Sequence, residues 1–165
     1  MRHRTAILAL MACLASATGA RAQEVFNQVV NTAKLAIDDP QANGFILQVS
    51  QFKYTAMQYL CTTAIKRNGG SVGADLLDRQ AAAMNEFVTQ YFADLARAQK
   101  LPGEEQAQIM RRYWKASASC PMFPNVDKAE ANAFVTDAQS LTPFSLNTDW
   151  EKALKALAQE KTARR

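Results

Sequence analysis

Apolar residues recur along this chain at three- and four-residue intervals, and two-residue alternation is scarce. That rhythm predicts helices nearly throughout. Val25, Phe26, Val29, Val30, Ala33 and Ile37 form a first stripe and place a helix over 24–37, which Asp39-Pro40 and Asn43-Gly44 break. A second helix is expected over 45–67. Phe45, Ile46, Val49, Phe52, Ala56, Met57, Leu60, Cys61, Ala64 and Ile65 give it a wide apolar face. Asn68-Gly69-Gly70 ends it, since glycine takes the left-handed turn that closes a helix. A third helix is expected over 75–99, carrying Leu76, Leu77, Met84, Phe87, Val88, Tyr91, Phe92 and Leu95.

Leu101-Pro102-Gly103 interrupts the pattern, and Glu104 and Glu105 open a fourth helix with acids where the helix dipole favours them. Ile109, Tyr113, Ala116 and Cys120 step along one side of it, with Met110 alongside, until Pro121 and Pro124. Two shorter helices follow from capping-box patterns. Asp127 with Glu130 leads to Phe134 and Val135, and Thr148 with Glu151 leads to Trp150, Leu154 and Leu157. The stretch 140–147, which holds Pro143, is expected to be loop, and the tail after Lys161 to fray. The architecture implied is all-α: an antiparallel bundle of five to six helices, with the shorter ones covering the longer.

The N-terminus departs from this pattern. Arg2 and Arg4 precede an apolar run over 6–17, too short to span a bilayer, and Ala20-Arg21-Ala22 follows as an A-x-A cleavage site. Residues 1–22 are therefore expected to be an export signal and 23–165 a single domain, in the periplasm or secreted. A buried N-terminal helix is one alternative. Lipidation at Cys13, after Leu10-Met11-Ala12, is another and would anchor the protein to a membrane. Cleavage would also remove His3, the one histidine.

The charge then changes meaning. The full chain has 19 bases and 15 acids; without Arg2, Arg4 and Arg21 it has 16 against 15. Lys152, Lys155, Lys161, Arg164 and Arg165 crowd the end. The basicity belongs mostly to signal and tail, so it argues little for nucleic acid, which is not expected as a partner.

Cys61 and Cys120 both fall on inward stripes. In an exported chain two such cysteines are expected to pair. The bridge would close a loop worth roughly 4 kcal/mol on the chain-entropy model. Two separately buried thiols are the alternative.

A mature chain without histidine has no Ser-His-Asp or Cys-His arrangement, and two cysteines alone do not complete a zinc site. Neither a haem-attachment motif nor a nucleotide-binding glycine loop occurs, so no cofactor is expected. Ser50-Gln51-Phe52-Lys53 matches S-x-x-K, but the companion motifs of that chemistry are lacking, and a helix flank explains the pair. Asp38-Asp39, Glu104-Glu105, Asp75 and Asp78 each suit a turn or a helix start. Arg111-Arg112-Tyr113-Trp114-Lys115 is the most suggestive surface, because aromatic and arginine side chains dominate protein hot spots. Its structural reading is one aromatic in the core with the bases in water.

The segments 54–66 (YTAMQYLCTTAIK) and 113–120 (YWKASASC) are similar in outline to periplasmic immunity proteins that neutralise type VI secretion amidase effectors. The resemblance covers a small part of the chain, and Pro121-Met122-Phe123-Pro124 departs from it. It implies a helical fold and a protein partner, and it carries over no contact residues. The expected function is a non-enzymatic protein-binding domain, an immunity protein in one form. An accessory subunit of an envelope secretion or conjugation system, or a small carboxylate-dependent enzyme, are the alternatives.

Overall fold

A computed structural model describes residues 23–126, 130 and 144–163. They contain five helices: α1 (Glu24–Asp38), α2 (Gly44–Arg67), α3 (Ala74–Ala98), α4 (Gly103–Ala118) and α5 (Trp150–Ala163). No strand occurs among the described residues. The expected signal with His3 and Cys13, and the expected helix at Phe134 and Val135, lie outside them. So does Asp127, the first member of its capping box. The first four helices are joined by short turns and pack consecutively, which makes them antiparallel. α3 is the axis of the bundle: α1, α2, α4 and α5 all lie against it.

Local chemistry sets the helix ends. Asn43 caps α2, its side-chain oxygen accepting from the Ile46 N–H at 2.9 Å. At the other end Gly69 and Gly70 are left-handed, at φ 70° and 98°, and the Gly70 N–H closes onto the Ile65 carbonyl at 2.8 Å. α1 has no capping side chain of its own. Asp78 of α3 supplies one from across the bundle, accepting from the Phe26 N–H at 2.9 Å.

The centre is aromatic. Phe52, Phe87, Tyr91, Tyr113, Phe144 and Trp150 are buried and meet edge to face. Such pairs add about 0.5–1.5 kcal/mol each beyond the area they bury. Phe144 touches Phe52, Phe87 and Tyr91 at centroid distances of 5.6, 5.3 and 4.8 Å. It belongs to the stretch expected to be loop. The backbone of 144–149 is indeed irregular, yet Phe144 and Leu146 are both core residues.

α5 is fastened by a buried polar clasp. Gln80 is fully buried on α3 and spends both ends of its amide there. Its oxygen accepts from the Trp150 N–H at 2.8 Å, and its nitrogen donates to Asp149 at 3.0 Å. Asp149 also accepts from the Lys152 N–H at 3.2 Å, so it is the residue that caps α5. The cap lies one residue later than the expected Thr148. The Thr148 hydroxyl instead donates to the Ser145 and Ser117 carbonyls, and Glu151 turns toward Arg79. Asn147 ties the preceding loop to the turn after α4, donating to the Phe123 carbonyl at 2.8 Å and accepting from the Phe123 N–H at 2.9 Å.

Two other expectations need correction. Phe45 and Ile46, placed on the apolar face of α2, are about half exposed in its first turn. Phe45 meets Phe92 edge to face at 4.7 Å. The backbone of α5 runs through Ala163. Finally, the Cys61–Cys120 bridge is not formed: Cys120 is a free, half-buried thiol. Cys61 is fully buried within α2, whereas Cys120 lies beyond the end of α4. α4 packs mainly on α3 and α5, so two inward stripes do not bring the two sulfurs face to face. The Cys120 backbone is occupied by the α5 junction, its carbonyl accepting from the Asp149 N–H at 2.7 Å.

Candidate functional site

The segment Arg111 to Lys115 divides across α4. Tyr113 turns inward, packs on Phe87 and Tyr91, and donates its hydroxyl hydrogen to Asp94 at 2.6 Å. Burial first, then that hydrogen bond and the Asp94 charge, push its phenol far above the ordinary tyrosine range, although Arg112 and Arg97 oppose them. Tyr113 is therefore a core residue and not part of any exposed surface. Trp114, one residue on, points outward and is 55% exposed. Met110, one turn earlier on the same face, is 42% exposed.

The bases around this apolar pair are held loosely. Arg111 donates to Glu104, and Lys115 lies 3.9 Å from Glu160; Arg111, Glu104 and Lys115 are largely solvated and Glu160 is partly so. Exposed pairs of this kind contribute about 0–1 kcal/mol and can exchange partners. Arg112 is half-buried, and its Nε has no hydrogen-bond partner among the described residues.

A second feature is a groove of about 770 Å³ bounded by α1, α2 and α3. Ser50 and Lys53, the S-x-x-K pair, both line it. Lys53 donates to the side-chain oxygen of Asn85 at 2.6 Å, and burial pushes its ammonium below the ordinary lysine value. Asn85 comes from α3, and nothing near Lys53 in sequence signals it.

The candidate carboxylates have local partners. Asp38 pairs with Lys34 at 2.6 Å, Asp39 accepts from the Gln41 N–H at 2.8 Å, Asp78 caps α1, and Glu104 holds Arg111. Asp75 sits in the first turn of α3. Among the described residues no group of His, Cys, Asp and Glu could hold a metal ion, and no helix is long and apolar enough to cross a membrane. No family model, curated protein or solved structure matches the chain.

Proposed function

We propose that this protein is an exported, non-enzymatic protein-binding domain whose partner in the cell envelope meets the outer face of α4. Trp114 carries the reading. A tryptophan more than half exposed beside an exposed methionine leaves most of its surface outside the bundle's own packing. Tryptophan is the residue type that most often anchors protein interfaces. Arg111 and Lys115 flank it with cations whose present partners are weakly held, and they form the polar rim such an anchor needs.

An immunity protein that blocks a secreted effector is one concrete form of this function. The rigid helix would present Trp114 already ordered, which lowers the cost of association. Trp114→Ala should weaken partner binding about 30-fold or more, the effect of losing a hot spot of about 2 kcal/mol, while the urea midpoint stays unchanged. Pull-down from the periplasm with both forms tests this, and a partner retained equally by the two would overturn the assignment of this face. For export, the mass of the periplasmic chain should begin at Gln23; a chain retaining residues 1–22 would refute it.

A further inference from the structure

We propose that the groove between α1, α2 and α3 binds a small amphipathic carboxylate, with the Lys53 ammonium holding the acid and the groove floor holding the apolar body. This assignment is independent of the partner face on α4.

Three observations converge on it. First, the volume of about 770 Å³ falls within the range of small-molecule sites. Small residues leave the groove unfilled: Ala33 and Ser50 are buried at its base, and Ala82 lies on its open side. Second, Val25, Val29 and Ala33 give the α1 wall an apolar strip between the exposed Gln28 and Thr32, whereas α2 and α3 face it with Lys53, Asn85 and Thr89. An occupant with one polar end and one apolar body matches both walls.

Third, Lys53 is a half-buried cation with no ion pair among the described residues. Its hydrogen-bond partner Asn85 is neutral. The carboxylate that lines the groove, Glu86, accepts instead from Gln90 at 2.9 Å. A partly desolvated cation facing a neutral amide gains most from an anion that arrives with a ligand. One cation calls for one acid, and the hydroxyls and amide beside it can bond the second carboxylate oxygen.

The test uses octanoate, 1-octanol and acetate as probes of the purified protein by titration calorimetry. Octanoate should bind at one site. Lys53→Met should weaken it about tenfold or more, the effect of losing one charge-assisted bond, and should leave 1-octanol unchanged. Ala82→Trp fills the groove from an exposed position and should abolish octanoate binding without lowering the urea midpoint. Acetate should bind far more weakly than octanoate. Several outcomes overturn the proposal: no saturable octanoate binding, octanoate affinity unchanged in Lys53→Met, 1-octanol binding as tightly as octanoate, or acetate binding equally well.

Discussion

Gln80→Met is the substitution that interrogates the α5 clasp most directly. Methionine matches glutamine in length and flexibility, so the change removes hydrogen bonds and leaves the packing nearly intact. Three groups lose a bond, of which the one to Glu151, at 3.4 Å, is the longest. The Trp150 N–H, an unpaired donor at the start of α5, loses its 2.8 Å bond to the Gln80 oxygen. A buried donor left unsatisfied costs about 1–3 kcal/mol. Asp149 loses a 3.0 Å bond to its carboxylate, and bonds to charged groups contribute about 1.5–3 kcal/mol. Partial relaxation toward solvent on the Asp149 side brings the expected loss to about 3 kcal/mol. Urea denaturation should show a lower midpoint with an unchanged slope, since the surface exposed on unfolding is the same. A variant within about 0.5 kcal/mol of the parent, the range of ordinary surface substitutions, would refute the clasp as a stabilising element.

The same variant has an acid signature. Burial alone would raise the Asp149 carboxyl, but hydrogen bonds from the Lys152 side chain, Gln80 and the Lys152 backbone outweigh it and hold the group below its ordinary value. The unfolded chain therefore takes up this proton at higher pH than the folded one. The contribution is present above the unfolded pKa and is lost as pH falls through the folded one. Gln80→Met removes one of the lowering bonds. Its deficit against the parent should shrink as pH falls below about 4, where Asp149 is protonated in the unfolded chain. A deficit that stays constant down to the acid transition would separate Gln80 from the charge on Asp149.

Two further outcomes follow from the core and from the cysteine. Phe144→Ala should cost about 3–5 kcal/mol in urea denaturation, because it opens a cavity among Phe52, Phe87 and Tyr91; a loss under 1 kcal/mol would mean that Phe144 is not packed as described. Maleimide added to the native protein should modify Cys120, its half-buried thiol being free, as mapped by peptide mass; protection of Cys120 until unfolding would contradict this state.

The helices were legible because their signals are local. Stripes of period 3.6 and the breaks at Pro40, Gly69-Gly70 and Pro102 place the first four helices to within a residue or two at nearly every end. What escaped has its cause far along the chain. Gln80 reads as a polar residue on a helix flank; its partners lie 69 and 70 positions away. Asp78 suits the start of its own helix, yet the end it caps belongs to α1, 52 positions back. Phe144 stands beside a proline with no periodic neighbours, so only the aromatic cluster reveals it as core. The exposed face of α4 was half legible. The segment Arg111 to Lys115 was found, but which of its two aromatics faces outward depends on the side from which α3 approaches α4. The groove was legible only as the S-x-x-K spelling, and its meaning changes once Asn85 arrives from another helix.

The reciprocal pair between Asn147 and Phe123 has a consequence for how this chain can change in length. One side chain holds both ends of the 123–147 stretch, and with the Gln80 clasp and the Cys120 carbonyl it fixes the start of α5 without reference to the span of the connection. Lengthening a closed loop costs only about 0.6 kcal/mol per doubling. Insertions between the two anchors should therefore leave the register of Asp149 and Trp150 against α3 untouched.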